Sequence, residues 1–147
     1  MSAYPPEWLC REIVDRAQDA IILADRDGLI RLWNSGAEAM FGYRAEEAVG
    51  QTLDLIIPER LRARHWAGYR EVMATGATRY AGQVLAVPAI RKDGASISVE
   101  FTIVLLHEPA GTMLGPAAIV RDVTARWEQE RALKKRLAAL EGKKVGD

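Results

Sequence analysis

The sequence predicts an antiparallel α+β domain, a sheet with helices on one face, and three observations carry that prediction. Ala20–Ala24 and Leu29–Trp33 are short apolar, β-branched runs joined by Asp25-Arg26-Asp27-Gly28, which is hairpin chemistry. From Pro58 a 4, 4, 3 spacing of Leu61, His65, Tyr69 and Val72 puts those side chains on one face of a long helix. After it come three further strand candidates separated by short turns, a connectivity that favours antiparallel pairing.

At 147 residues the chain has the length of one domain and can bury a real core. It is 49% apolar and 27% charged, an ordinary globular balance. Twenty basic residues offset twenty acidic ones, which argues against a nucleic-acid footprint. No apolar run approaches the roughly 18–20 residues that span a bilayer, and the N-terminal stretch carries Glu7, Glu12 and Asp15 rather than a basic-then-apolar signal. The single cysteine, Cys10, cannot form an internal disulfide and is expected to be a buried small hydrophobe. Cytoplasm is the compartment these features favour.

Taken in order, Pro5 to Asp19 reads as a helix, with Trp8-Leu9, Glu12-Ile13 and Arg16-Ala17 near helical period. It packs either on its own domain or on a second copy. Residues 1–19 are assigned to this flank, 20–123 to the domain proper and 124–147 to a C-terminal helix and tail. After the hairpin, Asn34-Ser35 caps a short helix, Gly36 to Phe41, that stops at Gly42. Ala45 to Val49 is another short helix, stopped by Gly50. Leu53 to Ile57 is apolar and leads into Pro58, which suits the start of a helix because its missing N–H has no partner there; Gly76 ends that helix. Thr78 to Ile90 reads as a long strand, with Pro88 marking an edge or bulge. Arg91-Lys92-Asp93-Gly94 turns. Ile97, Val99, Phe101 and Ile103 then alternate with Ser96, Ser98, Glu100 and Thr102, the period of a strand with one buried face. Glu108-Pro109-Ala110-Gly111 turns again, with His107 beside it expected to be exposed. Leu114 to Val123 is the last strand. From Thr124, Trp127, Leu133, Leu137 and Leu140 recur among charges as an amphipathic helix with a short coiled-coil-like seam. It either packs back on the sheet or pairs with a second copy. Gly142 to Asp147 is expected to fray.

His65 is a lone histidine on the apolar stripe of the long helix. Spacing leaves two readings open: a core or edge histidine whose nitrogens find backbone partners, the commoner case, or an axial metal ligand with an apolar space opposite.

The order of several short segments resembles a PAS sensor domain: Asp19-Ala20-Ile21-Ile22-Leu23-Ala24-Asp25 with Asp27-Gly28; Trp33-Asn34, Ala37 and Met40-Phe41-Gly42-Tyr43; Glu46 and Gly50; Ile57-Pro58; Arg91-Lys92-Asp93-Gly94; and Arg121-Asp122-Val123-Thr124. The resemblance covers about residues 8 to 125. It implies a PAS fold: a five-stranded antiparallel sheet with helices on one face and flanking N- and C-terminal helices. A narrower resemblance is to the haem PAS domains of rhizobial oxygen-sensing kinases and of the bacterial direct oxygen sensor phosphodiesterase. Aligned without gaps from Ile57-Pro58 and from Lys92-Asp93-Gly94, their proximal haem histidine falls on His65. The same alignment implies cofactor-facing positions at Tyr69, Arg79, Tyr80, Gln83, Leu85, Phe101 and Ile103. Leu85 takes the place of their oxygen-binding arginine, and Gln83 that of the methionine one relative uses as a sixth ligand. Phe101 and Ile103 fall on the apolar distal wall. Arg79 either pairs with a haem propionate or is a solvated strand residue.

What the resemblance implies is a haem b sensor of a diatomic gas (CO, NO or O2) or of redox state. Its iron is held by His65, and it acts as a homodimer that signals through the C-terminal helix to a downstream protein, with no nucleic acid and no membrane involved. The alternative is a haem-free PAS module that binds a small organic ligand or serves as a dimerisation adaptor. A light-sensing flavin domain needs a cysteine on a short helix before the long one, and Cys10 lies outside that region. An enzyme is not expected: the chain has no serine–histidine–acid spacing, no phosphate loop and no paired metal motif.

Overall fold

The computed structural model describes residues 3–78 and 82–145. Five strands, β1 (Ala20–Ala24), β2 (Ile30–Trp33), β3 (Leu85–Ile90), β4 (Ser96–His107) and β5 (Met113–Asp122), form one antiparallel sheet in the order β2-β1-β5-β4-β3. The β1–β2 hairpin is thus joined to the β3–β4–β5 meander through the pair β1–β5. All the helices between β2 and β3 fall in the crossover from one edge of the sheet to the other: α2 (Ser35–Phe41), α3 (Ala45–Ala48), a 3-10 turn at Leu53–Leu55, and α4 (Glu59–Thr75). The flanks are α1 (Pro6–Arg16) and α5 (Thr124–Val145).

Strand alternation selects the covered face. Ala20 and Ile22 of β1, Ala89 of β3, Ile97 and Val99 of β4 and Val120 of β5 are buried together with Ala37 and Phe41 of α2 and Ala48 of α3. The dense core therefore lies under α2 and α3. Asn34 is the one buried polar residue in the core region among those described. Its Oδ1 accepts from the backbone N–H groups of Ala37 (2.9 Å) and Ile21 (2.8 Å), and its Nδ2 donates to the carbonyls of Val14 (2.7 Å) and Asp19 (3.1 Å). One side chain thus caps α2 and ties α1 and β1 to it.

At the other end of the sheet, Thr124 Oγ1 accepts from Ser98 N–H (3.0 Å), Val123 N–H donates to Ser98 carbonyl (2.8 Å), and Arg126 of α5 pairs with Glu100 of β4. The root of α5 is fixed to β4 in this way. The rest of α5 is exposed: Trp127 is 46%, Leu133 64%, Leu137 58% and Leu140 54% accessible.

Several expectations change. β3 begins at Leu85, not Thr78; Gly82–Val84 lie outside any strand, and residues 79–81 are outside the described part. Within the apolar Leu53–Ile57 segment a 3-10 turn forms at Leu53–Leu55, and α5 continues past Gly142 to Val145. α1 stops at Arg16 instead of reaching Asp19, because its last turn gives way to the chain that meets Asn34. Cys10 is exposed, because it lies in the N-terminal part of α1, where residues 3–11 are all exposed. α5 does not pack back along the sheet. His107 is exposed, as expected.

Candidate functional site

Helix α4 starts after Pro58 and ends at Gly76, whose φ of 71° is a left-handed cap that a side chain would strain. Its shielded positions are Leu61, Arg62, His65, Trp66, Tyr69, Val72 and Met73, and its remaining interior positions face solvent. This is one continuous stripe at the 3.6-residue period. Only Tyr69 on it is fully buried. Among the described residues, the backbone of α4 does not lie close along any strand, unlike that of α2, which packs on β1.

The inner face of the sheet changes character along β4. β4 carries Ile97 and Val99 buried in the core, then Phe101 and Ile103 only half-buried on the same face. Leu85 pairs with Phe101, Phe101 with Val120, and Ile103 with Ala118, so Leu85, Phe101 and Ile103 form a contiguous apolar wall. They are half-buried because nothing in the described chain is packed as densely on them as α2 is on Ile97 and Val99.

The aromatic residues of α4 are anchored on the β1–β2 turn. Tyr69 Oη donates to the carbonyl of Asp25. Trp66 Nε1 donates to Asp54 Oδ1 at 2.7 Å. The six-membered edge of the Trp66 ring lies against Gly28, where any Cβ would overlap it, and φ of 80° there also favours glycine. His65 meets Trp66 edge to face, with centroids 4.7 Å apart at 75°, and lies 5.8 Å from the Tyr69 ring.

His65 Nδ1 is buried with no hydrogen-bond partner. An orphaned buried nitrogen costs about 1–3 kcal/mol. Burial pushes the imidazole below its ordinary value of 6.5, opposed by the nearby Asp54 carboxylate. It is therefore neutral at pH 7, the form that ligates metals. Burial, and then the carboxylates of Asp25 and Asp27, push the Tyr69 phenol upward, so it remains a hydrogen-bond donor. Among the described residues no cluster of three or more His, Cys, Asp or Glu side chains could hold a bare metal ion. Iron inside a porphyrin needs only one protein ligand on a face, and a neutral imidazole on the shielded stripe of α4 fits that requirement.

Of the positions expected from the sequence, His65 and Tyr69 lie on the shielded stripe of α4, and Leu85, Phe101 and Ile103 share the inner face of the sheet. Gln83 is exposed just before β3. Arg79 and Tyr80 lie outside the described residues. Sequence reasoning missed Trp66, Asp54 and Gly28. Trp66 adjoins the periodic stripe, a signal that could have been used; its contacts to Asp54 and Gly28 are long-range and left no local pattern.

A sheet of this order with a helical crossover on one face defines the PAS fold, and the family model described as the PAS fold matches residues 14–128. The chain belongs to the PAS family. Among curated proteins it is similar to Sensor protein FixL of Bradyrhizobium diazoefficiens, 29% identical over 84% of this chain and 24% of the relative. It is also similar to Oxygen sensor protein DosP of Escherichia coli, 27% identical over 82% of this chain and 15% of the relative. The chain thus spans less than a quarter of these relatives' length. Among solved structures, the PAS domain of a protein from Colwellia psychrerythraea superposes with a TM-score of 0.67 at 24% identity, covering 80% of this chain and 96% of that one. The chain is a PAS sensory domain related to FixL and DosP. No helix among the described residues is long and apolar enough to cross a membrane.

Proposed function

We propose that this domain is a haem-binding sensor of a diatomic gas or of redox state, with His65 as the iron ligand. The observation that supports the reading is the His65 imidazole, neutral and with its buried Nδ1 unpartnered, on the shielded stripe of α4. When bound, haem b supplies an iron that takes up a gas molecule or changes oxidation state.

The chain's own residues give that centre its character. Leu85, Phe101 and Ile103, an apolar wall, would keep water from a bound haem. Leu85 offers no hydrogen-bond donor, so such a site would favour CO and NO over O2, which is helped by a donor. The Tyr69 hydroxyl is committed to the Asp25 carbonyl and does not serve as that donor. By the resemblance alone, Arg79 would pair with a propionate and Tyr80 and Gln83 would be cofactor-facing.

Signal leaves through β4. Phe101 and Glu100 are neighbours on opposite faces of that strand, Glu100 pairs with Arg126, and Ser98 holds Thr124. A shift of β4 is thereby transmitted to the first turn of α5, a two-state element that a ligand can bias. In this reading the domain is a cytoplasmic homodimer that signals to a downstream protein and is not itself an enzyme.

The test is an absorption spectrum of the purified protein with haemin, then reduced with and without CO. A Soret band is expected, and His65→Ala should abolish or strongly shift it while far-UV circular dichroism stays unchanged. A protein that takes up no haemin overturns the proposal and leaves the haem-free module, with an organic ligand or none under α4.

A further inference from the structure

We infer that Trp66 is a positioning residue for the His65 imidazole, set by Asp54 and Gly28, and that it fixes the plane in which the ring meets a bound haem. The inference rests on the haem reading above and adds residues that the chain's resemblance to haem sensors does not supply.

The physical case is one of constraint. A histidine ring on a helix turns freely about its last side-chain torsion unless something packs on it, because that torsion is broad. His65 has no such hydrogen bond at Nδ1. What it has instead is the Trp66 ring set edge to face against it at 4.7 Å. Edge-to-face geometry is directional and resists rotation of either ring. Trp66 is itself held three ways. Its Nε1 donates to Asp54 Oδ1 at 2.7 Å, its far edge is seated against the Gly28 backbone, and it meets Tyr69 edge to face at 5.2 Å. Tyr69 in turn is bonded to Asp25, the first residue of the same turn that contains Gly28. The chain of contacts thus runs from the β1–β2 turn through Trp66 to the imidazole. A neighbour that merely filled space would need neither the carboxylate acceptor nor the side-chain-free seat.

The orientation of an axial imidazole against the porphyrin nitrogens alters the electronic structure of the iron, so the role has a spectroscopic signature. The experiment compares wild type, Trp66→Leu, Asp54→Ala and Asp54→Asn, each loaded with haemin. Readouts are the electron paramagnetic resonance g-values of the ferric form and the rate of haemin transfer to excess apomyoglobin. Trp66→Leu and Asp54→Ala should broaden and shift the g-values and accelerate transfer roughly three- to tenfold, the range expected for loss of one aromatic pair. Asp54→Asn keeps an oxygen acceptor for Nε1 and should restore both readouts towards wild type. Haemin-loaded variants with wild-type g-values and transfer rates overturn the positioning role and leave His65 ligation standing. So does an Asp54→Asn protein that behaves like Asp54→Ala. Wild type that takes up no haemin overturns both.

Discussion

Replacing Asn34 by alanine removes four hydrogen bonds of 3.1 Å or shorter from a side chain that is 3% exposed. The Ala37 N–H loses its N-terminal cap, a loss of about 1 kcal/mol. The Ile21 N–H and the Val14 and Asp19 carbonyls lose the partner that this side chain provided. A buried group left unsatisfied costs about 1–3 kcal/mol. The α1 carbonyl and part of the Asp19 environment can rehydrate, since Asp19 is only half-buried, so the full sum is not reached. A net loss of about 3–4 kcal/mol follows, a large part of the stability of a domain this size. Urea unfolding followed by tryptophan fluorescence measures it. The midpoint should fall sharply, and hydrogen exchange should show α1 detaching at lower free energy than the sheet. Asn34→Asp should be no better than alanine, because it retains the acceptor but sets a charge against carbonyls. A loss under about 1 kcal/mol for Asn34→Ala would instead mean that the four groups find other partners at little cost.

Leu85→Arg adds a donor to the apolar wall, and the ferrous protein should then hold O2 measurably longer before oxidising; stopped-flow spectra after mixing with oxygen check this. In haem-free protein, His65 is held below 6.5 by burial, so the unfolded chain binds more protons than the folded one as pH drops below that value. Stability should accordingly fall as pH is lowered through that range, and His65→Phe should flatten the slope; urea midpoints at stepped pH give the comparison. The exposed Leu133 and Leu137 of α5 are expected to face a second copy, so Leu133→Glu with Leu137→Glu should convert a dimer to a monomer in light scattering, with the domain's melting little changed.

Local chemistry wrote much of this fold into the chain. The hairpin is legible because Asp25 to Gly28 is a turn by its own residues, with the Asp25 carboxylate accepting from the N–H groups of Asp27 and Leu29. β4 is legible because alternation with one buried face has a fixed period. The stripe of α4 is legible for the same reason, and with it His65. Tertiary contact decided what had no period. Thr78 to Ile90 looked like one strand, but of its described residues Gly82–Val84 lie outside any strand and pairing begins at Leu85, opposite Phe101. Cys10 looked buried by type, yet its place on α1 leaves it in solvent. Asn34 announced a cap, while its bonds to Val14 and Asp19 depend on where α1 comes to rest. Trp66 is the clearest instance. Its residue type and neighbours say helix, but its meaning comes from Gly28, thirty-eight positions away in the chain. Spacing along a chain specifies which side of an element is apolar; which residue fills which gap depends on elements meeting in three dimensions.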